Sequence, residues 1–188
     1  MNKKIAAFFL GMVFSVVTVA GISAMAADKN PMVGGQEMYP TKNIVENAVN
    51  SADHSTLVAA VKAAGLVDTL ESAGPFTVFA PTNEAFAKLP VGTVDTLLKP
   101  ENKDQLTKIL TYHVVAGRLS AVDIKKMIRE GHGQATLKTV SGGTLTAMMQ
   151  GKNLVLKDEK GGTSTVTIGN VFQSNGVIHV VDSVLLPN

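Results

Sequence analysis

The hydrophobic period of the chain changes once, and this change limits the possible folds more than any other feature. From Lys42 to about Thr111 the patterns are helical, whereas after Gly133 apolar residues alternate at every second position, as in strands. Helices followed by antiparallel strands predict an α+β fold, because alternating βαβ units would mix the two periods along the chain.

The sequence also predicts where elements begin and end. Ser55 is placed to cap a helix that Gly65 ends. Ser120 opens a later helix, with Asp123 completing a capping box and Gly131 as its stop. A further helix is predicted from Asn102 to Thr111, and the predicted strands are Ala135–Val140, Thr144–Gln150, Leu154–Asp158, Ser164–Ile168 and Val177–Val181.

Residues 1–26 have the layout of a secretory signal peptide. Lys3 and Lys4 precede an apolar stretch, and Ala24-Met25-Ala26 supplies small residues for cleavage before Ala27. The alternative is an uncleaved anchor, but the apolar stretch is about 16 residues long, whereas a spanning helix needs ~20. The signal predicts a protein that is secreted or periplasmic, with no membrane span after its removal.

The rest of the chain is electrically neutral and contains no cysteine. The net charge of +2 comes entirely from the two lysines of the predicted signal, so no basic patch for nucleic acid is expected. The absence of cysteine excludes disulfides, thiol catalysis and cysteine metal sites. Residues 27–41, with two prolines and Gly34-Gly35, indicate a flexible lead-in. A single domain is predicted over residues 42–188.

Two segments carry most of the local information. In the first, an apolar strand ends at Pro81 and a helix begins directly, with Thr82 as its N-cap. In the second, Asn175-Gly176 makes a tight turn into a strand that is apolar on both faces, which favours a central strand. The residues singled out as structural in these segments are Phe76, Phe79, Pro81, Thr82, Asn83, Phe86, Asn175, Gly176, His179 and Asp182.

These segments resemble the two signature boxes of the fasciclin family, and Tyr112-His113 between them resembles its Tyr-His motif. The resemblance covers about Asn43 to Pro187. It implies one exported domain with a wedge of antiparallel or mixed β-sheets, wrapped by several helices concentrated in the N-terminal half. It also implies a non-catalytic module for adhesion or extracellular binding, without a cofactor.

The resemblance further implies where a partner would bind. In animal members, receptor binding has been attributed to the Tyr-His region and to an Asp-Ile pair before the second box. Tyr112 and His113 match the first of these. The pair falls on Asn170-Val171, where the carboxylate is absent. The resemblance therefore implies a binding module for an extracellular or envelope protein or polysaccharide, without integrin. Self-association would multiply weak contacts.

Other interpretations of the same residues remain open. Tyr112 and His113 could instead be buried and hydrogen-bonded to backbone, and His179 is predicted to be a satisfied core histidine. A periplasmic hydrolase or small-molecule binder could use a cleft near Tyr112-His113, and a structural envelope-stress protein is a third possibility. No Gly-x-Ser-x-Gly elbow and no metal-ligand histidine spacing occurs, so neither a catalytic nor a metal site is predicted. Asp158-Glu159 are expected to be solvated.

Overall fold

The computed structural model describes residues 30–188, so the predicted signal peptide at residues 1–26 lies outside it. The helices are α1 (Ile44–Asn50), α2 (Ser55–Ala64), α3 (Val67–Glu71), α4 (Asn83–Ala87), α5 (Thr93–Leu97), α6 (Lys103–Tyr112) and α7 (Ala121–Glu130), with short 3₁₀ turns at Ala52–His54 and Pro100–Asn102. The strands are β1 (Met32–Val33), β2 (Gln36–Glu37), β3 (Phe76–Pro81), β4 (Val114–Ala116), β5 (Gln134–Lys138), β6 (Thr144–Gln150), β7 (Asn153–Lys157), β8 (Thr163–Gln173) and β9 (Gly176–Val181).

Seven of these strands form one mixed sheet, which confirms the predicted α+β class. Their order is β4-β3-β9-β8-β7-β6-β5. β3 and β9 run parallel, and the other neighbours are antiparallel. The sheet curves so far that its two edge strands approach each other. An antiparallel bridge joins Val115 of β4 to Thr139, which follows β5.

β9 is the central strand that its apolar sequence predicts. It lies between β3 and β8, and all six of its residues are buried. A strand covered on both faces has no solvent side to mark with polar residues, so its sequence is nearly continuous in apolar character.

A separate hydrophobic core covers each face of the sheet. Val78 and Ala80 of β3 point to the core shared with α1, α2 and α6. Phe79, between them in sequence, points to the opposite core with Ile124 and Ile128 of α7. This split follows from the two-residue period of a strand, which sends successive side chains to opposite faces.

Helix ends follow the sequence predictions, with one correction. Gly65 ends α2 in the left-handed conformation, and Ser120 and Asp123 form the complete capping box of α7. Ser55, however, does not cap α2. It lies inside the first turn, and Asn83 of α4 supplies the cap, since its Oδ1 accepts the N–H of Thr56 at 3.0 Å.

The flexible lead-in predicted at residues 27–41 is ordered from Asn30 onward. β1 and β2 form a small hairpin, and Val33 and Met38 are buried in the helical core. The side chain of Asn47 in α1 fastens the end of this segment, because it bonds both the N–H and the carbonyl of Tyr39. Two isolated apolar side chains give no period, so this packing leaves no periodic signal in the sequence.

β8 extends beyond the predicted end at Ile168, as far as Gln173. Its pairing with β9 is interrupted by two irregularities, between Val166 and Ile168 and between Ile168 and Val171. Asn170 lies in the second with a φ of +61°. Such a bulge inserts residues that break the alternation of apolar and polar side chains. The alternating pattern therefore stops at Ile168, although the strand continues.

Within residues 30–188, no helix is sufficiently long and apolar to cross a bilayer.

Replacing Gly176 with Ala is expected to destabilise the protein by about 3 kcal/mol, as overpacking of a rigid site does. A Cβ at this position would overlap the carbonyl oxygen of Phe76 and lie 2.8 Å from Ile44 Cδ1. The free energy of unfolding in urea measures the effect. The neighbouring control Ser174→Ala, at an exposed site, should stay within about 0.5 kcal/mol of wild type. Equal stability of the two variants would contradict the close approach of β9 to β3.

Candidate functional site

Tyr112 and His113 lie at the junction of α6 and β4. Tyr112 is the last residue of α6 and His113 is its C-cap. Their side chains are 0% and 3% exposed. A partner-binding patch requires exposed side chains, so these two do not form one directly in this conformation.

The Tyr112 hydroxyl joins two turns of the sheet. It donates a hydrogen bond to the carbonyl of Thr144 at 2.6 Å and accepts one from the N–H of Glu159 at 3.1 Å. Burial raises the pKa of Tyr112 to about 12, so the phenol stays protonated and can donate. The ring also leaves no room for a side chain at residue 143, since a Cβ on Gly143 would lie 2.8 Å from Tyr112 Cε2.

His113 connects α6 to the C-terminal segment. Its Nδ1 is 2.9 Å from the carbonyl of Ile109, and its Nε2 accepts the N–H of Leu185 at 3.0 Å. These partners assign the proton to Nδ1, because a carbonyl accepts and an N–H donates. Burial lowers the pKa of His113 to about 4, although the Ile109 carbonyl and the charge of Asp158 oppose the fall. The imidazole is therefore neutral at pH 7.

The sequence predicts that Asp158 and Glu159 are solvated, but both carboxylates form hydrogen bonds with the backbone. Asp158 is buried, and its carboxylate accepts the N–H groups of Gly162 and Leu186. Glu159 is exposed, but it accepts the N–H of Thr144 and that of Asn188. The first of these bonds is the largest cause that lowers the pKa of Glu159. Both carboxylates hold the C-terminal segment against the sheet.

Asn170 and Val171 also have structural surroundings. Val171 is fully buried in the helical core. Asn170 is half-buried, and its Oδ1 accepts the N–H of Ala121 at 2.7 Å, at the start of α7. Asn tolerates the positive φ of this position better than most residues, which gives a local reason for Asn here.

The residues of the two boxes form long-range contacts. His179 is fully buried, stacks on Phe79 with ring centroids 5.6 Å apart, and bonds the carbonyl of Leu119 through Nε2 at 2.8 Å. Asp182 accepts the N–H of Thr165 at 2.8 Å. Thr82 caps α4 by accepting the N–H of Ala85, the role that the sequence predicts.

Asn175 links three segments of the chain. The sequence predicts its turn with Gly176 but not these links. Its Oδ1 accepts the N–H of Ile44 at the start of α1. Its Nδ2 donates to the carbonyls of Leu70 and Ser72, at the end of α3. No local pattern indicates these partners, because they lie more than 100 residues away in the chain.

The chemistry of the described residues is that of a structural network. The hydrogen-bonded histidine nitrogens within residues 30–188 have backbone or serine partners, and none bonds a carboxylate. No group of three or more His, Asp or Glu in this part of the chain is suited to a metal ion.

Replacing Tyr112 with Phe is expected to lower the free energy of unfolding by about 1 kcal/mol, because the part-buried carbonyl of Thr144 and N–H of Glu159 lose their hydrogen-bond partner. Chemical denaturation measures the change. Tyr39→Phe is the matched control, since the Tyr39 hydroxyl bonds Glu37 at the surface, and it should cost less than about 0.5 kcal/mol. A loss in the control as large as in Tyr112→Phe would contradict the role of the buried hydroxyl.

Because His113 is buried and neutral, we expect the free energy of unfolding to fall as the pH falls below about 6.5. Above this pH, its ordinary value in an unfolded chain, the imidazole is neutral in both states. Between 6.5 and about 4 the unfolded chain binds a proton that the folded protein excludes, so unfolding becomes easier. The full shift corresponds to about 3 kcal/mol, and His54 and His179, whose pKa values are also lowered by burial, act in the same direction.

Urea unfolding between pH 7 and pH 5 measures this dependence, before most carboxylates titrate. The variant His113→Gln should show a smaller slope of stability against pH than wild type. His132→Asn, at an exposed position with a φ of +56°, should leave the slope unchanged. Equal slopes in all three proteins would contradict the neutral, buried state of His113.

Comparison with known proteins identifies the family of this fold. The sequence model of the fasciclin domain family matches residues 52–187 of this chain. Protein sll1483 of Synechocystis sp. is 45% identical over 178 residues, which cover 94% of this chain and 91% of that protein. The cell surface glycolipoprotein MPB83 of Mycobacterium bovis is 35% identical over 170 residues, which cover 87% of this chain and 70% of that protein.

The fold is similar to a solved structure as well. A FAS1 domain pair from the insect cell adhesion molecule fasciclin I matches with a TM-score of 0.70 at 20% identity, over 78% of this chain and 51% of that chain. At this identity the likeness concerns the fold alone. Together with the family match and the sequence relatives, it leads to one conclusion: the chain belongs to the fasciclin domain family.

Proposed function

We propose that the protein is a non-catalytic binding module of the cell envelope or the extracellular space, where it contributes to adhesion. The observation that carries this proposal is its membership of the fasciclin domain family over residues 52–187. The relative MPB83 is named as a cell surface glycolipoprotein. A secretory signal at residues 1–26 would deliver the protein to the same place. Its partner is an envelope or extracellular protein or polysaccharide.

The partner surface that we propose lies next to Asn170, on exposed residues. Phe172 of β8 is 41% exposed and Val122 of α7 is 67% exposed. The hydrogen bond from Ala121 to Asn170 joins the two elements at this point. Exposed apolar side chains on two elements that meet are a feature of contact surfaces for a protein or carbohydrate.

Arg118 adds a cation to the same surface. Its guanidinium donates hydrogen bonds to the carbonyls of Gln173 and Ser174, at 2.8 and 3.1 Å, just beyond Phe172. These bonds hold the exposed side chain against the end of β8. Aromatic residues and arginine are the types that contribute most to binding energy at interfaces, so we define the binding surface as Arg118, Val122, Asn170 and Phe172.

Useful adhesion by so small a surface requires several copies. One patch of this size gives a weak contact, and linked sites multiply weak contacts into strong attachment. We therefore include self-association or dense display of the protein in the proposal.

The substitution Phe172→Ser is expected to weaken binding at least about tenfold, because it removes the aromatic side chain from the centre of the proposed surface. The measurement is binding of purified protein to intact cells of the producing organism and to a panel of envelope polysaccharides. Val91→Ser is the matched control, since Val91 is fully exposed elsewhere, and it should bind like wild type.

Two results would count against the proposal, each in a different way. Unchanged binding by Phe172→Ser would show that the surface is elsewhere. Turnover of a substrate by the purified protein, or no binding to any cell or polysaccharide, would contradict the function itself.

A further inference from the structure

The exposed side of α7 carries two parallel stripes of side chains that differ in charge. Residues three, four and seven positions apart lie on one side of a helix, because a turn takes 3.6 residues. The first stripe consists of Val122, Lys125 and Arg129, and the second of Asp123, Lys126 and Glu130. All six side chains are exposed, whereas Ile124 and Ile128 on the opposite side are buried.

The charges of the second stripe are balanced within α7. Lys126 Nζ lies 3.8 Å from a carboxylate oxygen of Glu130. Asp123 accepts hydrogen bonds from the N–H and the hydroxyl of Ser120, at the end of the helix where the dipole favours an acid. The fold therefore accounts for each charge of this stripe.

The first stripe carries two positive charges and no acid. Lys125 and Arg129 are one helical turn apart, about 6 Å along the axis, and like charges at this spacing destabilise a helix. Neither forms an ion pair with an acidic group of residues 30–188. The helix dipole favours a cation such as Arg129 in the last turn, but the effect does not reach Lys125 in the middle of α7. An anion bound from outside the protein would relieve the repulsion.

The first stripe continues the binding surface around Phe172. Val122 belongs to both, and the N–H of Ala121 bonds Asn170 where α7 meets β8. Arg118 precedes α7, and its guanidinium bonds only backbone carbonyls among the described residues, so no carboxylate balances its charge. The combined surface therefore has three cations and two exposed apolar side chains.

Repeated negative charges on a hydroxyl-rich chain suit this surface best. An ion pair between exposed groups contributes little by itself, so useful affinity requires several charges linked on one partner. A lipid surface fits less well, because a helix that binds membranes inserts its apolar face, and α7 packs Ile124 and Ile128 into the protein core. A protein partner would obtain most of its affinity from a few side chains inserted into pockets, whereas the stripe presents long flexible side chains in the open.

We propose that the first stripe of α7 binds the carboxylate groups of an acidic polysaccharide, with Lys125, Arg129 and Arg118 as the cations that contact them. The inference rests on the proposed binding function, because it names the class of partner for the surface that includes Phe172.

Polygalacturonate and its methyl ester are suitable probes, because they share one sugar backbone and only the first carries carboxylates. Calorimetric titration of the purified protein measures both affinities. We expect binding of polygalacturonate that weakens as the salt concentration rises, since salt screens exposed charges. The methyl ester should bind at least about tenfold more weakly.

Lys125→Gln and Lys126→Gln form a matched pair, because they change the net charge equally on neighbouring positions of one helix. Lys125→Gln should weaken polygalacturonate binding about threefold, and its combination with Arg129→Gln about tenfold. Lys126→Gln should stay within about twofold of wild type, since this lysine already pairs with Glu130. The Tm of Lys125→Gln should not fall below that of wild type, because the substitution removes a like-charge repulsion.

Equal losses of affinity in Lys125→Gln and Lys126→Gln would overturn the inference, as would equal binding of polygalacturonate and its methyl ester. Tighter binding to poly-glutamate or to phosphatidylglycerol vesicles than to polygalacturonate would assign the stripe to another class of partner. If the protein binds cells through Phe172 but not polygalacturonate, the inference fails and the proposed function stands. If it binds neither cells nor any polysaccharide, the proposed function fails as well.

Discussion

β3 and β9 pair in parallel along their whole length, and this pairing organises both cores. Residue 76 is opposite residue 176, so two segments about 100 residues apart become neighbours at the centre of the sheet. Each strand sends alternate side chains to opposite faces, so the pair supports the helical core and the α7 core at once. Phe79 and His179 stack across it. Gly176 permits the close approach at its start, where any Cβ would overlap Phe76.

Polar side chains connect this central pair to the rest of the chain. Asn175 and Asn83, at opposite ends of the two strands, bond the backbone at the start of α1 and of α2. His113 and Asp158 hold the C-terminal segment through the N–H groups of Leu185 and Leu186. Each of these bonds satisfies a backbone group that is buried or part-buried. The fold therefore accounts for these polar residues.

The partner surface that we propose uses side chains that this network leaves exposed. Phe172 and Arg118 are exposed beside the bulge of β8. Tyr112 and His113, the family's Tyr-His motif, are buried and support the scaffold.

The sequence alone determined the α+β class, the central strand, the cap at Thr82 and the capping box at Ser120, because periodicity and capping depend on residues close together in the chain. It did not show that residues 32–37 pair as a hairpin, nor which backbone groups Asn83, Asn175 and Asp158 would bond. It also misleads at the end of β8, where the bulge turns Phe172 outward and Gln173 inward. The exposure of each side chain and its long-range partners depend on contacts between distant segments, so only the tertiary structure decided them.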